Sequence, residues 1–183
     1  MRTLKLTAKD FKKSDSYWSD YIGTENVADF DGHIEIEGSL GYVKFVRLNA
    51  KGHILAEAGT GITASWSIKA GTGIEAGTGI KAGTGIEAGW SIKAGTGIEA
   101  GTGITAGLSI TCKLTLKIAY RVFAGICYWR EEVTDADKTI TCGKFEGGEV
   151  AYGILKETGL PEEKYEPEIV ERDGKKFKLI PLE

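Results

Sequence analysis

Histidine and cysteine, two residue types that often carry catalysis or bind metals, are scarce in this 183-residue chain. It contains only 2 histidines, and no stretch approaches the roughly 18 apolar residues of a membrane span. Its 23 basic and 26 acidic residues are interspersed, which leaves no basic face for nucleic acid and no polybasic tail for anionic lipid. We therefore expect no nucleic-acid partner and no membrane partner.

Cysteine is equally scarce. The 3 cysteines, Cys112, Cys127 and Cys142, have spacings that match no zinc or redox motif, so we expect buried free thiols and no disulfide framework. The acidic residues Glu131, Glu132, Glu146 and Glu149 have no histidine or cysteine near enough in sequence to suggest a metal site, and no glycine-rich segment has the context of a phosphate loop. We predict no metal, no cofactor and no catalytic residue. The first residues lack the apolar segment of a secretory signal, which predicts a cytoplasmic or recombinant soluble protein.

Glycine, by contrast, is abundant, with 26 residues, most of them in one repeat. Nine consecutive hexads at residues 58–111 follow the pattern Ala-Gly-(Thr/Trp/Leu)-(Gly/Ser)-Ile-(Glu/Lys/Thr), with Ser65 in one second slot. A fixed short period is the signature of a solenoid, and this glycine content is incompatible with a helix. Isoleucine in the fifth slot and alanine in the first slot, from Ala58 onward, have the same strand parity and are predicted to line a narrow core. The glycines are expected at corners, in conformations that glycine accepts easily.

The charges in the sixth slot indicate how many hexads form one coil. Sixth-slot residues one coil apart are expected to lie about 4.8 Å from each other. Two hexads per coil would stack like charges, whereas three hexads per coil pair every lysine with a glutamate. The expected pairs are Lys69–Glu87, Glu75–Lys93 and Lys81–Glu99. At about 0.2–1 kcal/mol per exposed pair, this favours triangular coils of about 18 residues. The alternative is that the alternation only echoes duplication of a two-hexad unit.

Three segments are predicted. Residues 1–57 form an N-terminal cap with degenerate first coils, residues 58–111 form the regular hexad solenoid, and residues 112–183 form capping strands and a polar tail. Four apolar residues before the repeat already recur every six residues: Ile36, Tyr42, Leu48 and Ile54. The spacing from Ile54 to Ile62 is eight, which indicates a two-residue insertion. Alternating apolar residues after the repeat predict a half-buried strand: Leu114, Leu116, Ile118, Tyr120 and Val122.

The third slot of each hexad is the predicted functional position. A core this narrow cannot accept tryptophan, so third-slot side chains are expected to point outward. Six of them are threonines and form the candidate surface-binding array: Thr60, Thr72, Thr78, Thr84, Thr96 and Thr102. Trp66 and Trp90 are candidate interaction residues. With three hexads per coil, Thr60, Thr78 and Thr96 form one column, and the other two columns contain the tryptophans.

The segments Ile74–Gly79 and Ile98–Gly103 resemble the aliphatic, small-or-acidic, x, x, small, x pattern of left-handed parallel β-helices of the hexapeptide class. The resemblance favours a left-handed coil. Lysine after isoleucine and tryptophan in a small-residue position depart from that pattern, so bactofilin-like right-handed triangular solenoids stay open. Hexapeptide acyltransferases use a histidine beside the coil, but His33 and His53 precede the regular repeat and have no evident partner. The chain is also similar to uncharacterised bacterial proteins with Ala-Gly-Trp-Gly-Ile-x repeats, which implies a fold and no activity.

The threonine array also resembles the flat surfaces of solenoid ice-binding proteins, in which ordered hydroxyls and methyls organise water. Those proteins usually have two threonines per coil rung, whereas each hexad here has one. The uniformity of the repeat suits either a recent expansion or an engineered array. The alternative is that threonine is simply a good exposed β residue. We therefore expect a non-catalytic structural or interaction scaffold, with self-association through a solenoid end as one route, or an ice-binding protein that acts through the threonines.

Overall fold

The structure is a computed structural model that describes residues 1–161, 169–172 and 175–178. Within this part the chain is all-β apart from a 3₁₀ turn at Ala8–Asp10. The strands are β1 (Arg2–Leu6), β2 (Phe11–Lys13), β3 (Trp18–Tyr21), β4 (Gly32–Ile36), β5 (Gly41–Phe45), β6 (Leu48–Ala50), β7 (Ile54–Ala56), β8 (Thr60–Ala64), β9 (Ile68–Ala70), β10 (Ile74–Ala76), β11 (Ile80–Ala82), β12 (Ile86–Ala88), β13 (Ile92–Ala94), β14 (Ile98–Ala100), β15 (Ile104–Ala106), β16 (Ile110–Cys112), β17 (Thr115–Ala124), β18 (Thr139–Cys142), β19 (Lys144–Tyr152), β20 (Ile154–Glu157), β21 (Ile169–Arg172) and β22 (Lys175–Lys178).

Parallel strands stack into about seven coils of about 19 residues, which confirms the predicted β-solenoid. Face 1 is the eight-stranded sheet β1-β4-β7-β10-β13-β16-β18-β20. Faces 2 and 3 belong to one twelve-stranded sheet, in which β3-β5-β8-β11-β14 form face 2 and β6-β9-β12-β15 form face 3. Strand β17 turns the corner between them, because it pairs first with β14 and then with β15. Three faces give the triangular coil that the repeat predicts.

The core consists of stacked ladders of identical residues. Ile74 pairs with Ile92 and Ala76 pairs with Ala94, and each of these four side chains is at most 3 % exposed. The same register recurs on faces 2 and 3. Because isoleucine and alanine alternate with an outward sixth-slot residue, each strand from β9 to β16 buries its first and third side chains and turns the middle one outward. The predicted inward ladders are therefore present throughout the regular coils.

The length of the regular coils agrees with the prediction from the sixth-slot charges. The register advances by 18 residues in the regular coils, from Ile80 to Ile98 for example. All three predicted ion pairs form: Lys69–Glu87 at 2.8 Å, Lys81–Glu99 at 2.8 Å and Lys93–Glu75 at 3.4 Å. The side chains are about half exposed, so each pair contributes only about 0.2–1 kcal/mol. Their main structural consequence is a surface on which these charges neutralise one another.

The first hexad departs from the prediction. Its ladder alanine is Ala56, which pairs with Ala76, whereas Ala58 is exposed. Five residues separate Ala56 from Ile62, but only three separate Ala76 from Ile80. The two-residue insertion is therefore in this corner. The expectation that Ala58 points inward is wrong because the longer corner moves it out of the ladder.

The degenerate coils before the repeat also differ in part from the six-residue spacing. Leu48 and Ile54 are buried and stack on isoleucines of the next coil, as predicted. Ile36, however, stacks on the alanine ladder, and the half-buried Tyr42 lies at an outward position opposite Gly61. The residues that stack on the isoleucine ladder are Ile34 and Val43, which the six-residue spacing missed because the corners of this coil are not uniform. Six residues separate Ile36 from Val43, but only two separate Phe45 from Leu48.

The alternating segment after the repeat is strand β17. Leu116, Ile118 and Val122 are buried, whereas Leu114 and Tyr120 are exposed. Leu114 precedes the strand, and Tyr120 lies at the corner, where its N–H donates to the carbonyl oxygen of Thr102. The prediction that all five apolar residues form one inward row is therefore wrong, because the alternation of inward and outward side chains does not continue around a corner.

The second-slot glycines are required by the stacking of corners. A Cβ at Gly89 would overlap the carbonyl oxygen of Gly71 in the preceding coil, and a Cβ at Gly95 would overlap that of Gly77. Neither glycine has a positive φ, so the requirement is steric and not conformational. The fourth-slot glycines are not all alike. A Cβ at Gly73 would meet only the carbonyl oxygen of Ser91, at 3.4 Å, whereas a Cβ at Gly103 would overlap the carbonyl oxygen of Arg121.

The two ends of the described solenoid are built differently. At the N-terminal end, β2 and β3 form an antiparallel hairpin whose second strand joins face 2. At the C-terminal end, β19 stacks on β17, and β20 stacks on β18 as the last strand of face 1. Strands β21 and β22 pair as a separate hairpin. The rest of the predicted polar tail, at residues 162–168, 173–174 and 179–183, lies outside the described residues. None of the helical structure described is long and apolar enough to cross a membrane.

Candidate binding surfaces

The three faces of the solenoid form a triangular prism. The third-slot residues lie at its three corners, between the strands of successive faces. Their backbones stack along each corner, with Thr96 N–H donating to Thr78 at 3.0 Å and Thr102 N–H donating to Thr84 at 2.9 Å. The corner between faces 1 and 2 carries Thr78 and Thr96, the next carries Trp66, Thr84 and Thr102, and the third carries Thr72, Trp90 and Leu108. Thr84 and Thr102 are exposed, and Thr72, Thr78 and Thr96 are half-buried.

Thr60 is not a surface residue. Its side chain is 0 % exposed, and its hydroxyl donates to the Glu37 carbonyl oxygen at 2.7 Å and accepts from the Leu40 N–H at 3.0 Å. The prediction that Thr60 heads an outward column is wrong because the two-residue insertion turns it into the corner. Thr60 instead satisfies two backbone groups of the preceding coil.

The threonines therefore form single rows along separate edges and not a flat array. Each corner contributes one third-slot residue per coil, and Trp66, Trp90 and Leu108 interrupt two of the three rows. The Thr78 hydroxyl is buried without a hydrogen-bond partner in the structure, so it is turned away from solvent. The flat surfaces are the faces between the corners, where the outward positions are the fourth and sixth slots.

Each face carries a shallow groove along the solenoid axis. Its floor is formed by fourth-slot glycine or serine, one wall by a corner column and the other wall by the sixth-slot residues. The volumes are about 290 Å³ on face 1, about 500 Å³ on face 2 and about 370 Å³ on face 3. These grooves exist because glycine in the fourth slot leaves room above the strand that any larger residue would fill.

The face-2 groove shows what such a floor can hold. Tyr42 lies over Gly61 and Gly79, since a Cβ at either glycine would overlap the phenol. Trp18 packs against Tyr42 with a ring-centroid distance of 5.0 Å, and Lys44 Nζ lies 4.6 Å from the centroid of a Trp18 ring. The protein itself therefore places a planar ring against a glycine floor, beside a charged side chain.

Trp90 forms one wall of the face-1 groove and is 51 % exposed. The opposite wall contains Leu55 and the Glu75–Lys93 ion pair, and Gly73 and Ser91 form the floor. The groove thus combines an aromatic plane, an aliphatic side chain and paired hydrogen-bonding groups. A few polar groups in a mostly apolar concavity are typical of small-ligand sites.

Trp66 borders a larger cleft of about 670 Å³ beside the N-terminal hairpin. It is 56 % exposed, and the Arg47 guanidinium lies 5.5 Å from the centroid of one of its rings. The exposed Val46 and the carboxylate of Asp20 also line this cleft. Trp66 and Trp90 therefore lie at different corners and border separate cavities.

The two histidines do have a partner, which is each other. His33 and His53 stack on face 1 with ring centroids 4.2 Å apart, and His53 N–H donates to His33 Nδ1 at 3.0 Å. His53 Nε2 lies 3.6 Å from Glu35. Because His33 Nδ1 accepts a hydrogen bond, the neutral ring carries its proton on Nε2. The 20-residue spacing of the two histidines equals the coil length of this region, which is a sequence signal for the stack.

Face 1 also carries a small set of hydroxyls that the third-slot reasoning missed. Ser109 and Thr111 flank the buried Ile110, and Thr139 and Thr141 flank the buried Ile140 in the next coil. Ser91 adds a fifth hydroxyl, 3.3 Å from that of Ser109. The sequence itself indicates this placement, because the fourth-slot and sixth-slot residues flank the buried isoleucine and therefore point to the same outer side of the strand.

The described residues contain no group of three or more histidine, cysteine, aspartate or glutamate side chains placed to hold a metal. All three cysteines are free; Cys112 and Cys142 are buried, and Cys127 is half-buried. Burial raises the pKa of the Cys112 thiol to about 12, so it is neutral near pH 7 and a poor nucleophile. The chain matches no family model, no curated protein and no solved structure.

Proposed function

We propose that this protein is a non-catalytic interaction scaffold that binds its partner through the tryptophan-bearing corners of the prism. The observation that carries the proposal is that the regular coils expose two large aromatic side chains, Trp66 and Trp90, each beside a cavity. The ladders of isoleucine and alanine hold these side chains in a fixed relation to each other. Exposed tryptophans next to clefts are enriched in binding surfaces.

The ends of the solenoid are less suited to binding. The first strands, β1 and β2, carry Arg2, Lys5, Lys12 and Lys13, and lysine on an edge strand opposes pairing with another chain. At the other end, the pairing of β17 with β19 contains register shifts, and the Glu157 carboxylate accepts a hydrogen bond from the Phe145 N–H at 2.6 Å. Bulges and charged groups at an edge have the same effect. These features favour the corners over end-to-end association.

The test is hydroxyl-radical footprinting of the protein in an extract of its source cells and after purification. We expect Trp66 and Trp90 to be oxidised more slowly in the extract, because a bound partner covers them. Tyr17 is 76 % exposed and lines neither the cleft beside Trp66 nor the groove beside Trp90, so it serves as the internal control and should react equally in both samples. Equal oxidation of the tryptophans in both samples, or protection confined to Tyr152 and Leu155 at the C-terminal end, would refute the proposal.

Ice binding is a second candidate function, and the surface that would carry it is face 1 instead of the corner threonines. The hydroxyls of Ser109, Thr111, Thr139 and Thr141 lie in two adjacent rows of a flat parallel sheet. Neighbouring strands are about 4.8 Å apart and alternate residues about 6.6 Å apart, so these four positions form a regular grid. The Thr139 hydroxyl also donates to the carbonyl oxygen of Asp135, at 2.6 Å. The corner threonines form no such grid.

Thermal hysteresis of the purified protein tests this second candidate. If the grid binds ice, replacing Thr111 and Thr141 by lysine should abolish hysteresis, whereas replacing the corner residues Thr84 and Thr102 by lysine should not. Circular dichroism checks that both variants keep the fold. Absence of hysteresis in the unmodified protein would eliminate ice binding, and loss in the corner variant alone would return the activity to the third-slot threonines.

A further inference from the structure

We propose that the face-1 groove beside Trp90 is a binding site for a neutral saccharide chain. This inference rests on the proposed scaffold function and names the chemical class of the partner. The repeat contains the combination of tryptophan, serine and lysine in two hexads. The hexads Trp66-Ser67-Ile68-Lys69 and Trp90-Ser91-Ile92-Lys93 replace threonine by tryptophan and glycine by serine together, and both have lysine in the sixth slot.

The alternation of the strand brings these three groups to one surface. Ile92 is 0 % exposed, so Ser91 and Lys93 on either side of it point outward from face 1. Trp90 precedes them at the corner and forms the groove wall. One hexad therefore supplies an aromatic plane, a hydroxyl and an ammonium group around one concavity.

The floor of the groove is open. A Cβ at Gly73 would meet only the Ser91 carbonyl oxygen, at 3.4 Å, so a ligand can approach the strand closely there. Leu55 in the preceding coil adds an aliphatic contact opposite the indole. The equivalent floor on face 2 is already covered by the ring of Tyr42, which shows that this geometry accepts a flat ring.

The charges select a neutral ligand. Lys93 Nζ lies 3.4 Å from Glu75, and both side chains are more than half exposed. The ammonium group is thus already paired, and the negative charge of Glu75 beside it repels an incoming phosphate or carboxylate. A neutral polyol, by contrast, can donate to Glu75 and accept from Lys93 without breaking the ion pair, since charged groups form the stronger hydrogen bonds.

A pyranose ring matches all of these features. Its apolar C–H face packs on an indole, and its hydroxyls meet Glu75, Lys93 and Ser91. An aromatic side chain of a protein partner would fill the same space but would leave the desolvated ion pair without new hydrogen bonds, which is costly. The groove runs along the solenoid axis past successive coils, so the ligand that fits it is a chain of such rings.

The experiment is isothermal titration calorimetry of the full chain with three soluble neutral hexasaccharides: cellohexaose, chitohexaose and mannohexaose. We expect at least one to bind, and Trp90→Thr to weaken that binding by about tenfold or more, since about 1.4 kcal/mol of lost contact corresponds to a tenfold change. Threonine occupies the third slot of most other hexads, so Trp90→Thr is compatible with the coil. Trp90→Tyr should restore part of the affinity by restoring an aromatic plane.

Two controls make the result specific. Trp66→Thr changes the same slot at a different corner and should alter the affinity less than about twofold, a difference below 0.5 kcal/mol. Polyacrylate and a tryptophan-rich neutral peptide probe the anionic and aromatic alternatives. Failure of all three hexasaccharides to bind, unchanged affinity in Trp90→Thr, or stronger binding of either alternative probe would overturn the saccharide proposal. Footprint protection of the tryptophans together with no saccharide binding would leave the scaffold proposal standing and remove only this one.

Discussion

Replacing the second-slot Gly89 by alanine should destabilise the solenoid, whereas the same change at the fourth-slot Gly73 should not. A methyl group at Gly89 would overlap the backbone carbonyl oxygen of Gly71, and backbone cannot move aside as a flexible side chain can. Overpacking of this kind costs about 1–3 kcal/mol. At Gly73 the new methyl group meets only one oxygen at 3.4 Å, and the lost backbone freedom of the unfolded chain stabilises the protein by about 0.4–1 kcal/mol.

Differential scanning calorimetry measures both effects. For a chain of this size, 1 kcal/mol corresponds to a shift in Tm of about 2–4 °C, so Gly89→Ala should lower Tm by about 2–12 °C and Gly73→Ala should raise it by about 1–4 °C. The fourth slot already accepts serine at Ser67 and Ser91. The reasoning is refuted if Gly89→Ala is as stable as Gly73→Ala, because the corners would then have room for a Cβ in both slots.

Three other substitutions or reactions probe separate parts of the structure. Lys81→Glu should place a second carboxylate beside Glu99 and lower Tm at low salt, and 1 M NaCl should remove the difference, since exposed pairs contribute about 0.2–1 kcal/mol and are screened. Thr60→Val should destabilise the protein by about 1–3 kcal/mol in urea unfolding, because it leaves the Leu40 N–H without its acceptor, while Thr84→Val at an exposed corner should change stability little. With a thiol reagent at pH 8, native protein should release one fast equivalent from Cys127, and denatured protein should release three, because burial raises the pKa values of Cys112 and Cys142. Three fast equivalents in the native state would contradict the burial of those two thiols.

The regular coils could be derived from the sequence because each slot has one physical requirement. Isoleucine and alanine recur at the period of the strand, and the sign of the sixth-slot charge distinguishes three hexads per coil from two. Both inferences depend only on the spacing of residues. The predictions that Ala58 points inward and Thr60 points outward are wrong, because two extra residues in this corner change which side chains face inward. The insertion was visible as an eight-residue spacing, but its effect on parity depends on the conformation of the corner.

The binding surfaces were harder to derive. The third slot lies at a corner, and the fourth and sixth slots lie on a flat face. This placement depends on where each strand ends, which the repeat pattern alone does not determine. The threonines therefore drew attention to the edges of the prism, while the hydroxyls of Ser109, Thr111, Thr139 and Thr141 lie on the flat face. The histidine stack was missed for a related reason, since its 20-residue spacing is meaningful only once the local coil length is known.

The fold itself shows where function can be sought in such a uniform chain. In the regular coils, stacking requires isoleucine in the fifth slot, alanine in the first and glycine in the second, with Ser65 as the exception in the second slot. The third and sixth slots, and the fourth slots of Gly73 and Gly85, meet no comparable demand. Serine replaces glycine in the fourth slot wherever the third slot is large, at Trp66, Trp90 and Leu108. Only the two tryptophan hexads also carry lysine, and Lys81 shows that lysine occurs without tryptophan. Since neither the core nor the corner contacts require tryptophan, serine and lysine together, the face-1 groove at Trp90, which all three residues line, is the place in the regular coils where the proposed ligand is to be tested.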